Sequence, residues 1–145
     1  MSLSARFRYI GRAVAVMLLS VLTVWAVLWL YLLGPVGYLP PQSMDYSAKS
    51  YDVFAYGTLK QPWIRRFIIG RTVHVHEDSL SGYQRDGLDL QPDPAFTTIG
   101  LRFVVTPKEM RRLDRYERLG VRYQREQLLL DSGHKAWVYR RIVVE

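Results

Sequence analysis

Hydrophobic and polar positions are distributed differently at the two ends of the chain. From Ala13 to Leu33 no side chain is charged, and only Ser20 and Thr23 interrupt the apolar run. As a helix, such a stretch rises roughly 30 Å, the thickness of a bilayer's hydrocarbon core. Trp25, Trp29 and Tyr31 gather toward its C-terminal end, where amphipathic rings settle at a membrane interface, and Gly34-Pro35 stops the helix. A buried core helix is the competing reading, but the remaining chain is too small to surround so long an apolar helix on every side.

Beyond residue 33 the pattern changes. Gly34, Pro35, Gly37, Pro40, Pro41 and Ser43 disfavour both helix and sheet, so residues 34–50 read as a tether and a folded domain is expected over 51–145. Tyr51 to Tyr56 is aromatic and β-branched and ends at Gly57, as a short buried strand running into a tight loop would. Thr72 to His76 alternates with period two. Phe96 to Val105 places Ile99, Leu101, Phe103 and Val105 on one strand face. Gln127–Leu130 and Ala136–Val144 flank Asp131-Ser132-Gly133-His134 and predict a hairpin. Trp63 to Ile69 fits a short helix after Pro62, although its isoleucines and phenylalanine also suit a strand.

The sharpest local signal is a helix over Pro107 to Arg118. Thr106 is placed as N-cap, Pro107 at the first helical position and Glu109 at the third, which makes a capping box. At about 100° per residue, Met110, Leu113, Asp114 and Glu117 fall on one stripe, and Arg111, Arg115 and Arg118 on the opposite side. Short strands with one or two helices predict an α+β domain built on a small curled sheet or barrel.

Composition narrows the chemistry. A mean hydropathy of −0.06 averages the two regions and describes neither. With 145 residues the chain holds one ordinary domain and an appendage. It has no cysteine, which excludes a disulfide scaffold, a thiolate zinc site, iron–sulfur ligation and a catalytic thiol. The net charge is +7. Its distribution matters more than its size: Arg6, Arg8 and Arg12 make residues 1–12 a basic segment before the span, while Lys49 is the only basic residue from Gly34 to Tyr56. The positive-inside bias predicts a single-pass signal anchor at 13–33, N-terminus in the cytoplasm and domain in the periplasm or outside the cell. A cleaved signal peptide would need a small-x-small site, and Gly-Pro-Val-Gly-Tyr-Leu-Pro-Pro is a poor one.

Glu117 is the first candidate for chemistry. A carboxylate turned toward Met110 and Leu113 loses hydration, which raises its pKa toward the range where it both takes and gives protons. The plainer alternative is a structural carboxylate paired with Arg122 or Arg125, and Asp114 has the same two readings. Tyr56-Gly57-Thr58-Leu59 is the second candidate: a strand-to-glycine turn presents successive N–H groups, a nest suited to a carboxylate or oxyanion, although most such turns are only turns. His74, His76 and His134, even with Asp78, are too few and poorly spaced for an expected metal site. There is no Walker loop and no serine elbow. Acidic residues dilute the arginine-rich stretch from Arg111 to Arg125, so no nucleic-acid partner is expected.

Several segments together resemble the gamma-glutamylcyclotransferase-like family, which includes gamma-glutamylamine cyclotransferases. Val53-Phe54-Ala55-Tyr56-Gly57-Thr58-Leu59-Lys60 is similar to its opening strand and Tyr-Gly-Thr/Ser-Leu loop, Leu80-Ser81-Gly82-Tyr83 to its Leu-x-Gly strand, and Gly100 to Val105 to its Gly-x-x-Tyr/Phe-x-Val strand. Leu113-Asp114-Arg115-Tyr116-Glu117 resembles its Leu-Asp-x-x-Glu helix end, Tyr123-Gln124-Arg125 its Tyr-x-Arg, and Ala136-Trp137-Val138-Tyr139 its closing strand. The resemblance runs over residues 51–141. It implies a small mixed β-barrel with flanking helices, a glutamyl moiety held by Tyr56, Gly57, Thr58 and Leu59, Glu117 as general acid/base, and Tyr123 lining the pocket. It also implies a reaction without cofactor or metal, in which a γ-glutamyl amine or peptide closes to 5-oxoproline and releases its amine. The chain departs from the family in three places. Arg118 stands where glycine is common, Gln91-Pro92-Asp93-Pro94-Ala95 replaces a Tyr-Pro-containing wall, and an anchor precedes the domain. The first two bear on substrate choice and the third on location. The expected function is therefore a membrane-anchored cyclotransferase. The rival is a non-catalytic, membrane-tethered module that binds a glutamyl-like carboxylate.

Overall fold

The computed structural model describes residues 3–32, 38, 41 and 44–142, with side chains from residue 10 onward except at 32. They fall into two units, Met1–Gly37 and Tyr38–Glu145. The first is a single helix, α1 (Leu3–Leu32). Its stretch Ile10–Tyr31, 22 residues with mean hydropathy 2.4, is long and apolar enough to cross a membrane. The two hydroxyls inside it are satisfied within the helix, Ser20 Oγ donating to the Val16 carbonyl at 2.9 Å and Thr23 Oγ1 to Leu19 at 2.8 Å. Leu33 and the expected Gly34-Pro35 stop lie outside the described residues.

The second unit runs β1 (Tyr51–Ala55), a 3-10 turn (Thr58–Lys60), α2 (Pro62–Ile69), β2 (Val75–Asp86), β3 (Asp89–Val105), α3 (Pro107–Tyr116), β4 (Tyr123–Leu129) and β5 (Lys135–Arg141). The sheet order is β2-β3-β1-β5-β4. Among the described strand pairs only β1–β5 is parallel. The sheet is open, which corrects the expected barrel: the architecture is mixed α+β on an open five-stranded sheet. Edge strands β2 and β4 share no ladder. Asp131 and Ser132 join that side of the sheet to the β4–β5 turn: the Ser132 hydroxyl donates to the Asp78 carboxylate at 2.6 Å, and the Asp131 N–H donates to the Ser79 carbonyl at 2.9 Å. The Asp131 carboxylate accepts from the hydroxyls of Ser79 at 2.6 Å and Ser81 at 3.0 Å. A side-chain clasp thus stands where a barrel would need strand pairing.

Strand β1 is central and apolar on both faces. Val53 pairs with Phe103 on one side and Trp137 on the other, so period two puts Val53, Phe103 and Tyr139 on one face. The helices cover that face: Arg65 of α2 lies 5.7 Å over the Phe103 ring, and the Tyr139 hydroxyl reaches Asp114 of α3. Phe54, Tyr56, Leu80, Leu90, Leu130, Ala136 and Val138 form the core of the opposite face. Gly100 belongs there because a Cβ would sit 2.5 Å from the Phe54 ring. Ile99 has the predicted parity with Phe103 and Val105, yet it is 68% exposed, so apolar cover stops short of it.

Other expectations shift in extent. The predicted Thr72–His76 strand begins at Val75, and β2 and β3 continue to a Gly87-Leu88 turn that was not anticipated. Gly82, at φ +81°, and Pro92 fall where the register slips. A bulge tolerates both there. Trp63–Ile69 is helical, within α2. The α3 capping box forms, with the Glu109 N–H to Thr106 Oγ1 at 3.4 Å and the Thr106 N–H to Glu109 Oε2 at 2.8 Å. The β4–β5 hairpin is present up to Arg141, and Val143, Val144 and Glu145 lie outside the described residues.

Part of the expected tether rests on the folded unit. The Tyr38 hydroxyl donates to the Leu119 carbonyl, that of Tyr46 to Asp114, and Pro41 abuts Gly120. Gly34, Pro35, Gly37, Pro40 and Ser43 are outside the described residues.

Candidate active site

The C-terminal end of β1 and the C-terminal end of α3 meet at one cavity. At the β1 end, the chain turns at Gly57 into the 3-10 turn, whose closing bonds run from Lys60 N–H to the Gly57 carbonyl and from Gln61 N–H to Thr58, both 3.0 Å. Among the described turn and loop hydrogen bonds, none uses the N–H of Gly57, Thr58 or Leu59. These donors are the orphans that the first turn of any helix leaves. The Tyr56 hydroxyl donates to the Tyr139 carbonyl at 2.5 Å, and the Tyr123 hydroxyl to the Leu88 carbonyl at 3.2 Å. Two tyrosines from different strands are thereby fixed against β5 and the β2–β3 turn.

Glu117 caps α3, with its N–H on the Leu113 carbonyl at 2.9 Å. Within the described residues no hydrogen bond or ion pair reaches its carboxylate. Burial pushes its pKa up to about 7, against a smaller lowering by the Arg122 guanidinium. The same carboxylate, second to burial, helps hold the Tyr123 hydroxyl above the usual phenol range. Asp114, one turn earlier, is fully buried where Glu117 is partly so, and it is fully engaged: it accepts from Tyr139 at 2.6 Å and from Tyr46, and Arg125 lies 3.3 Å away. Burial raises its pKa, while those hydrogen bonds and Arg125 oppose the rise. The pairing alternative weighed for Glu117 thus describes Asp114.

Arg118 follows with φ 51°, the only described non-glycine residue at positive φ. Its carbonyl accepts the N–H groups of Val121 and Arg122, both at 2.9 Å, so the left-handed turn is closed on itself. A side chain there costs on the order of 1 kcal/mol relative to glycine.

The cavity is small, with about 50 Å³ of free space. Tyr56, Gly57, Thr58, Leu59, Glu117 and Tyr123, the residues expected to bind or react, line it, whereas Asp114, given the same reading as Glu117 from the sequence, does not. Leu88, Tyr139, Phe54 and Ala55 complete the wall and were not anticipated as site residues. Phe54 and Ala55 precede the loop on the same strand and were legible as its apolar approach. Leu88 carried no signal, being a turn residue whose contribution follows from the hairpin. Elsewhere, the His74 and His76 rings stand 4.7 Å apart, and Asp78 is taken by Ser132 at 2.6 Å and Arg102 at 3.4 Å.

Residues 53–142 match the family described as gamma-glutamyl cyclotransferase, AIG2-like. No curated protein matches the chain. Two Arabidopsis thaliana proteins of known solution structure share the fold. At5g39720.1 is 24% identical with a TM-score of 0.57, over 69% of this chain and 73% of its own. At3g28950.1 is 23% identical with a TM-score of 0.54, over 68% and 66%.

Proposed function

The chain belongs to the AIG2-like gamma-glutamyl cyclotransferase family, and we propose that it cyclises a γ-glutamyl amine or peptide to 5-oxoproline with Glu117 as general acid/base. The observation that carries this reading is geometric: in one cavity the Glu117 carboxyl, with no hydrogen bond or ion pair among the described residues and its pKa pushed up to about 7 by burial, faces a turn whose first N–H groups take no part in the described turn bonds. The free α-amine of the substrate attacks its own γ-carbonyl carbon. As that C–N bond forms, the carbonyl oxygen gains charge that the N–H groups of Gly57, Thr58 and Leu59 stabilise. Glu117 takes the proton from the attacking nitrogen and gives it to the leaving nitrogen, whose bond to carbon then breaks. Nucleophile and electrophile are in one molecule, so the protein's work is mainly to hold the folded-back conformer. Tyr56 and Tyr123, fixed through their hydroxyls, shape the wall that does so. No cofactor takes part in these steps.

We read α1 as a single-pass anchor with the domain periplasmic or extracellular, on the bias of Arg6, Arg8 and Arg12 over Lys49. A C-terminal reporter active only in the cytoplasm would reverse that orientation.

The test is 5-oxoproline release by the full chain in detergent, across γ-glutamyl amines and amino acids, beside Glu117→Gln. We expect the variant to lose roughly 10²–10⁴ in kcat/KM. In the wild type, kcat/KM should fall as pH drops through about 7, because the base must be ionised to accept the proton. A folded chain that turns over nothing while still binding a γ-glutamyl ligand would leave the tethered binding module instead.

A further inference from the structure

Glu117 stands in a turn just beyond the end of its helix. α3 ends at Tyr116, β4 begins at Tyr123, and between them the chain passes through two left-handed residues, Arg118 at φ 51° and Gly120 at φ 83°. A backbone bond across the turn runs from the Leu119 N–H to the Asp114 carbonyl at 2.9 Å. Helix ends fray where nothing packs on them, so the place of the Glu117 carboxyl in the cavity depends on what holds Asp114 and Leu119.

The segment that follows α1 in the chain holds both. The Tyr46 hydroxyl donates to the Asp114 carboxylate, and the Tyr38 hydroxyl to the Leu119 carbonyl. Pro41 lies 2.9 Å from where a Cβ on Gly120 would stand, a contact that favours glycine there. The Arg111 and Arg125 guanidinium groups lie 4.7 and 5.2 Å from the centre of the Tyr46 ring, which holds that ring in place, and Arg125 also donates to Met44 Sδ at 3.7 Å. Within the segment, the Met44 N–H closes on the Pro41 carbonyl at 3.2 Å. The contacts therefore fall on both sides of Glu117, at residues 114, 119 and 120. Their hold extends into the cavity wall, because Asp114 also accepts from Tyr139, whose carbonyl takes the Tyr56 hydroxyl.

We infer that Tyr38 and Tyr46 are positioning residues for the reaction, a strap that fixes Asp114 and Leu119 and so aims the Glu117 carboxyl at the Gly57–Leu59 turn. The inference rests on the cyclotransferase reading of the cavity. Neither tyrosine lines that cavity, so both act through the residues they hold. One carboxyl that takes a proton from the attacking nitrogen and returns it to the leaving nitrogen must stay within hydrogen-bond reach of both. A displacement of about 1 Å in such a group costs on the order of a hundredfold in rate.

The test uses the full chain in detergent as wild type, Tyr38→Phe and Tyr46→Phe, each of which removes one hydroxyl and keeps the ring. We expect each to lower kcat on the high-pH plateau by about three- to tenfold, with KM changed less than about twofold. The acid limb of kcat/KM, at about 7 in the wild type, should move down in both, because a loosened turn lets water reach the carboxylate. The groups that act on Glu117, or on which it acts, are Arg122, Tyr56, Tyr123 and Tyr139, none of them on the strap. A downward move therefore reports hydration of Glu117 and not a lost charge, and a loss of global stability alone would not produce it. If Tyr46→Phe does not fold, Tyr38→Phe, whose acceptor is a single backbone carbonyl, carries the comparison. Carbon-13 NMR titration of the glutamate carboxyls, assigned with Glu117→Gln, reads the same shift without turnover. A chain that turns over no γ-glutamyl substrate while the variants' titration is still displaced would remove the cyclotransferase reading and keep the strap's hold on Glu117. Turnover with kcat and the acid limb unchanged in both variants would overturn the strap and leave the cyclotransferase reading standing.

Discussion

Asp114 and Glu117 lie one helical turn apart on the same stripe of α3, and the structure treats them in opposite ways. The Asp114 corner is crowded with partners: two tyrosine hydroxyls donate to it and Arg125, itself stacked 4.7 Å from the Trp137 ring, stands beside it. The Glu117 pocket offers tyrosines whose hydroxyls are already committed to carbonyl groups. Burial acts on both carboxylates, but only at Asp114 do protein groups replace the lost hydration. Withholding partners, rather than burial alone, is what leaves Glu117 free to exchange a proton near neutral pH.

The sharpest way to break the contrast is to remove the satisfied carboxylate. Asp114→Ala leaves Arg125 buried without its anion and two tyrosines without an acceptor, and should lower unfolding free energy by about 3–5 kcal/mol. Urea denaturation measures this, and a loss within half a kcal/mol of zero would dissolve the distinction. Glu117→Gln should act in the other direction. Its pKa is raised on folding from 4.5 to about 7, so its stabilising contribution is complete below pH 4.5 and is lost as pH rises through 7. At pH 8 the variant should therefore exceed wild type by up to about 3 kcal/mol, and at pH 4 the two should coincide. Equal pH dependence in both would mean that Glu117 is already paired. The smallest effect is expected at Arg118→Gly, which relieves the left-handed backbone and should change stability by no more than about 1 kcal/mol.

Much of this was legible where local chemistry decides the outcome. Thr106, Pro107 and Glu109 specify a helix start whichever core it packs on, and the spacing from Met110 to Glu117 specifies which face turns inward. The β1 glycine turn was equally plain. What escaped depended on distant partners. Gly82 was expected in a strand and Pro92 and Pro94 in a departure from the family's wall, and only the long β2–β3 pairing shows that they meet at a slip in register. Leu88 enters the site because that pairing brings the hairpin tip to Tyr56 and Tyr123. Asp114 could not be separated from Glu117 until Tyr46, expected to lie in a free tether, was found bonded to it. The element pattern allowed a curled sheet or a barrel and the family resemblance favoured the barrel, because no residue pattern distinguishes an open edge clasped by Asp131 and Ser132 from a closed one.

The left-handed turn at Arg118 also has a bearing on how such a site diversifies. Every arginine codon becomes a glycine codon by a change at its first base, so a single nucleotide exchanges a charged side chain for the residue this backbone prefers. Most other replacements keep the conformational penalty and lose the charge. Descendants of this gene would drift along that one inexpensive direction first, losing a charge beside Glu117 while the fold stays intact.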